Sequence, residues 1–179
     1  MADLLLYQFD EFPVKDYLKP DGTANLKWGE TWRMFNGSNV HSPGVVSKPN
    51  AILVLSASDP ATVEAMVSSP SATFGIESFW ATLISDSIVW PYPDLAASLI
   101  CKTTAGKEET YTQVKPVACP GTPIIFDNWT TMACTEITFR IGNHDEKGGA
   151  VHPGRFAMDN LSIVWYTKTS QRQHDQLKA

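Results

Sequence analysis

Residues 156 to 165 read FAMDNLSIVW, and the reading of this run decides the fold. Most of it has the apolar, β-branched and aromatic composition of a core strand. At 161–165 both strand parities are apolar, as expected of a strand covered on both faces. Yet Asp159 and Asn160 stand in the middle. An unpaired buried carboxylate is costly, so Asp159 requires a cation, a set of N–H donors or water. The plain alternative to a cation is a turn or cap in which Asp159 and Asn160 accept backbone N–H bonds.

Strand signals continue outward from this run. The segments 4–9, 51–57, 78–84, 96–103, 110–114, 123–126, 135–141 and 156–166 are short and rich in β-branched or aromatic residues. Turn chemistry separates them, including Pro20-Asp21-Gly22, Ser42-Pro43-Gly44, Thr104-Ala105-Gly106, Cys119-Pro120-Gly121 and His152-Pro153-Gly154. Twelve prolines and eleven glycines at such spacing predict an all-β, antiparallel β-sandwich with long loops. Helical character is confined to 60–66 and to the polar tail. One domain spans residues 1–168, and 169–179 form an appendage. In 78–84, Phe79, Ala81 and Leu83 share one parity and are predicted to face the partner sheet. Ser78, Trp80, Thr82 and Ile84 share the other, which suits a face lining a groove.

The 179 residues are 43% hydrophobic and 18% charged, which describes a globular chain. A net charge of −5 with scattered Lys and Arg argues against nucleic acid and an anionic membrane surface as partners. No apolar run has transmembrane length. The start, MADLLLYQF, lacks a basic n-region and a full h-region. The chain is therefore expected in the cytoplasm if Met1 is the native start, and outside the cell if a signal has been removed. Cys101, Cys119 and Cys134 form an odd set without CxxC. They indicate no disulfide framework, and leave room for one bridge and a spare thiol. Sequons at Asn36 and Asn128 fit a secreted surface, and the one at Asn160 is a chance match within a core strand.

Nucleotide, zinc-protease and serine-hydrolase motifs are absent, so no nucleotide or redox cofactor is expected. The four histidines lack zinc spacing. His144, Asp145, His152 and Arg155 lie in the stretch 143–155, which can bring two imidazoles to a cleft rim or form a solvated loop. Six tryptophans are more than a core of this size usually needs. Trp165 and Trp129 read as packing residues. Trp28 and Trp32 flank Glu30 in a stretch with little strand alternation, and Trp90 stands with Tyr92 in a proline-rich loop. Exposed aromatics of this kind make stacking platforms for sugars or flat ligands, so Trp28, Trp32, Trp80, Trp90 and Tyr92 are the candidate ligand contacts.

The ordered set Phe9-Asp10-Glu11, Leu26-Lys27-Trp28, Val46-Ser47-Lys48-Pro49-Asn50-Ala51, Ser78 to Thr82, the hairpin around Gly106, Phe126 to Thr130 and Phe156 to Leu161 resembles a family of small jelly-roll proteins common in fungi. The resemblance covers most of residues 5 to 166, and the sequence departs from the pattern in the loop 142–155 and in the missing signal, so the family's secreted location is not carried over. It implies a galactose-binding-like or carbohydrate-binding-module-like sandwich whose first and last strands meet and share a structural Ca²⁺. Asp159 and Asp10 or Glu11 would then supply side-chain oxygens, as a hard cation with six to eight oxygen ligands requires.

Two functional classes follow. One is a cofactor-independent cyclase or isomerase acting on an apolar small molecule, by analogy with calcium-dependent cyclases on related jelly rolls. It needs a partly desolvated carboxyl group, for which Glu30 is the first candidate and Asp86 the second. His144 and His152 are further catalytic candidates. The other class is a carbohydrate-binding module or lectin using the same aromatic residues. A second copy of the chain is a further expected partner.

Overall fold

The computed structural model describes residues 2–7, 26–36, 50–54, 65–69, 72–84, 94–118, 121–128, 131–144, 151–153 and 155–166. Within them the chain forms β1 (Ala2–Tyr7), β2 (Lys27–Trp28), β3 (Trp32–Asn36), β4 (Asn50–Val54), β5 (Ala65–Ser68) and β6 (Thr73–Ile84). After these come β7 (Asp94–Lys102), β8 (Glu108–Pro116), β9 (Thr122–Ile125), β10 (Glu136–His144), β11 (Val151–Pro153) and β12 (Arg155–Tyr166). The first sheet has the order β3-β4-β12-β6-β9, with β1 beside β12. The second has the order β2-β5-β10-β7-β8, with β11 beside β10. Every strand pairing is antiparallel. The fold is the expected all-β sandwich of the jelly-roll kind.

Side-chain alternation places the core between the sheets. Phe79, Ala81 and Leu83 are buried there from β6, while Ser78, Trp80 and Thr82 on the other parity remain half-buried. From β7, Leu95, Ala97, Leu99 and Cys101 point inward, opposite Ile137, Phe139 and Ile141 of β10. Trp32 joins the layers, with its ring 5.8 Å from Phe156 in the first sheet and 5.5 Å from Phe139 in the second. Trp28 meets it edge to face at 5.0 Å. Such T-shaped pairs add to the area that each ring buries. A second apolar cluster of Ala133, Val164 and Tyr166 covers the other side of β12, as the double-parity pattern at 161–165 requires.

The centre of β12 departs from regular pairing. Asp159 pairs with Trp80 and Ser162 with Ser78, so Asn160 and Leu161 stand opposite Phe79 alone. One step on, Ile163 pairs with Ile76, which leaves Glu77 of β6 as the extra residue. Two β-bulges on neighbouring strands thus offset each other, and Leu161 and Ile163 return to the core side. Asn160 adopts φ 49°, the left-handed region that Asn tolerates better than most residues. The Asn160 N–H donates to Asp159 Oδ1 at 2.7 Å, which realises part of the cap chemistry open to these two residues.

Three differences from the sequence reading, and one choice that it left open, have physical causes. Trp32–Asn36 is a strand, although Glu30 and Arg33 beside the inward Trp32 interrupt the apolar alternation that would mark it in the sequence. Ala65 and Met66, in a segment with helical character, are in β5, because pairing with β10 overrides local propensity. The stretch read as a long loop from 142 begins as strand, with Gly142, Asn143 and His144 pairing with Pro153, His152 and Val151. Cys101 and Cys134 form a disulfide across 33 positions, with Cα atoms 5.4 Å apart. Cys101 lies in the second sheet, whereas Cys134 exchanges both main-chain hydrogen bonds with Phe74 of the first. The bridge therefore ties the two layers together inside the core.

The hairpin at Gly106 is as expected. Thr103 N–H donates to Lys107 O and Gly106 N–H to Thr103 O, both at 2.9 Å. Gly106 has φ 76° with open space around it, so glycine is used there for its backbone freedom.

Candidate functional site

The offset bulges shape the outer face of the first sheet. Trp80 lies between Asp159 of β12 and Pro123 of β9, and Ser78 lies between Ser162 and Ile125. Pro123 is exposed, Ile125 is 52% exposed, and Trp80 is half-buried. These three residues share one face of the paired strands β6 and β9 and form an apolar plate there. Polar groups border it: Ser162 Oγ donates to Glu77 Oε2 at 2.7 Å, and Ser78 and Thr82 add half-buried hydroxyl groups. An apolar plate beside hydroxyls and a carboxylate can stack an apolar face of a ligand and hydrogen-bond polar groups at its rim. Sequence parity identified Trp80. Glu77 and Ser162 come to it only through the bulges, which leave no periodic signal in the chain.

Asp159 is fully buried beside this plate. At its level β12 changes neighbours on one edge, from β4, paired up to Met158, to β1, whose Tyr7 pairs with Leu161. The first and last strands therefore meet, and Asp10 and Glu11 follow β1 by three and four residues. Those two lie outside the described residues. A buried carboxylate at a junction of three strands suits a hard cation in donor chemistry and burial. Among the described residues, no three His, Cys, Asp or Glu side chains form a cluster of the kind that holds a metal.

The remaining candidates do not converge. Trp28 and Trp32 are core residues, at 1% and 0% exposure, so they are not an exposed platform. Glu30 is exposed in the turn between them, and Arg33 Nη1 donates to its backbone carbonyl at 2.6 Å. The indoles turn inward while the turn faces water, so the desolvated setting expected around the Glu30 carboxyl is absent. His144 lies half-buried near the end of β10, paired with Asp94 of β7, and its buried Nδ1 has no hydrogen-bond partner among the described residues. His152 pairs with Asn143 in β11, and His144 with Val151, so the two histidines are not paired with each other. Asp86, Trp90 and Tyr92 lie outside the described residues, as do Cys119 and Trp129.

No protein-family model matches the chain, and no curated protein matches it. Solved structures do. A DUF4465 family protein from Bacteroides caccae is 10% identical, with a TM-score of 0.59 over 92% of this chain and 100% of that one. A second DUF4465 family protein, from Bacteroides ovatus, is 8% identical over 91% of this chain and 84% of that one, at TM-score 0.48. A family 29 carbohydrate-binding module is 10% identical over 92% of each chain, at TM-score 0.47. At these identities the first likeness shows the fold, in agreement with the strand topology. Ligand and chemistry have to be argued from this chain's own residues.

Proposed function

We propose that the protein is a glycan-binding module whose ligand rests over Trp80 on the outer face of the first sheet. The observation that carries this reading is the half-buried Trp80 on a strand beside the bulge, continued by exposed Pro123 and Ile125 and bordered by Glu77, Ser78 and Ser162. Strand-mounted groups hold their geometry better than loop-mounted ones, which favours recognition of a rigid ring. The acid–base enzyme is the weaker reading, because its first candidate, Glu30, faces water.

Two further elements belong to the proposal. A structural Ca²⁺ held by Asp159 with Asp10 or Glu11 would offset the buried carboxylate and fasten the first strand to the last. Export to an oxidising compartment is supported by the buried Cys101–Cys134 bridge, since such bonds persist where thiols are not kept reduced. The test is a glycan array followed by titration calorimetry on any hit. Trp80→Ala is expected to weaken binding at least about tenfold, a loss of ~1.4 kcal/mol. An array without hits, or binding indifferent to Trp80→Ala, overturns the proposal.

A further inference from the structure

Strand β8 is nine residues long and pairs, among the described residues, with β7 alone. It ends the second sheet on the side where β9 ends the first, and the two strands touch. The exposed large hydrophobic residues among those described are Val114, Val117 and Ile125, and all three lie on or beside these edge strands. A long edge strand with exposed apolar residues is a template for pairing with another chain.

We propose that this edge is an interface with a second copy of the chain, in which β8 pairs antiparallel with its own counterpart about a two-fold axis at Thr112. A continuous sheet requires facing residues to share a sheet face, so only registers centred on a residue are allowed. Centring on Thr112 uses the whole strand. It sets Glu109 against Lys115 of the second copy, and symmetry repeats the pair. Thr110 then faces Val114, Tyr111 faces Gln113, and Thr112 faces itself. Opposite charges and β-branched pairs are the favourable cross-strand combinations. Glu108 and Pro116 face each other at the strand ends. Centring on Tyr111 instead opposes Lys107 to Lys115, and centring on Gln113 sets Lys115 against Tyr111 and Glu109 against Val117, with no opposite-charge pair. The symmetry is isologous, so the assembly closes as a dimer rather than growing.

Sedimentation velocity on the full chain tests this, with circular dichroism and a melting curve run on every variant. The wild type is expected to sediment as a dimer at micromolar concentration. Lys115→Glu, at an exposed position, sets a carboxylate against Glu109 in both symmetry-related pairs and is expected to weaken self-association roughly tenfold. The double variant Glu109→Lys with Lys115→Glu restores both pairs and is expected to restore the dimer. Glu109 also accepts from Tyr111 Oη at 2.7 Å, so Thr112→Lys serves as an independent variant, placing two ammonium groups across the axis. A wild type that is monomeric at every concentration overturns the proposal. So does a dimer unaffected by Lys115→Glu or by Thr112→Lys, or a folded double variant that fails to regain it.

Discussion

Phe79 and Trp80 are adjacent in β6 and point to opposite faces, so truncating each in turn separates the core from the site. Phe79 is 1% exposed, with ring contacts to Phe126 at 6.1 Å and Phe139 at 5.7 Å. Phe79→Ala removes a buried ring and leaves a cavity, a change that costs ~3–5 kcal/mol. The two aromatic contacts place the expected value in the upper half of that range. Against a typical domain stability of about 5–15 kcal/mol, this is a large fraction of the total. Trp80 is only half-buried, so Trp80→Ala is expected to cost about 1–2 kcal/mol. Urea unfolding followed by circular dichroism reads both values, and calorimetry against an array-selected glycan reads the affinity. The expected pattern is a large fall in midpoint with Phe79→Ala, and a small fall with at least tenfold weaker binding in Trp80→Ala. Equal destabilisation by both, with affinity unchanged in Trp80→Ala, refutes the assignment of faces.

Cys134→Ser opens a bridge spanning 33 positions, and the chain-entropy model assigns such a loop ~3.7 kcal/mol, read as a lower midpoint than the oxidised wild type. A variant as stable as wild type would show that packing alone holds the layers. If Ca²⁺ is bound at Asp159, chelation lowers the melting temperature, since occupancy at a hundred times Kd is worth ~2.7 kcal/mol. Asp159→Ala should then remove the response, and a melting curve indifferent to chelator and to added calcium would exclude the metal. Burial pushes the Tyr166 hydroxyl up to about 12, so its protonated form is favoured in the fold. The unfolded chain ionises first, near the ordinary value of about 10, and stability is expected to fall as pH rises from about 10 to about 12. Tyr166→Phe should reduce that slope, and an identical alkaline transition would count against it.

What could be read in the chain follows from what is local. Strand alternation fixed the inward set at Phe79, Ala81 and Leu83, and the double-parity run at 161–165 marked a strand covered on both sides. The turn at Gly106 was legible because a left-handed residue in a hairpin calls for glycine. Which two of the three cysteines pair was not legible. The partners stand 33 positions apart and meet only because Cys134 joins the first sheet through Phe74 while Cys101 sits in the second. The aromatic residues Trp28 and Trp32 misled for a related reason. Polar neighbours suggested a wet platform, yet β2 and β3 belong to different sheets and turn both indoles into the space between them.

The bulge pair explains why an acid sits within an otherwise apolar strand. Without it, β12 would alternate evenly from Phe156, and Leu161, Ile163 and Trp165 would fall on the outer parity with Asp159. The extra residue at Asn160 reverses the parity, so that Phe156 and Met158 before it and Leu161 and Ile163 after it all reach the core. On β6 the extra residue is Glu77, and its carboxylate accepts from Ser162 just beyond the bulge. Each bulge thus brings a polar residue to the same region of the sheet. Filling Asp159 with an apolar residue would remove the acceptor that holds Asn160 at positive φ. Relaxing Asn160 to extended backbone would force either a one-residue slip against β6, which sends every inward side chain to the wrong face, or loss of pairing with β1. The polar pair is therefore a register device first, and the Trp80 plate is a surface that this register creates.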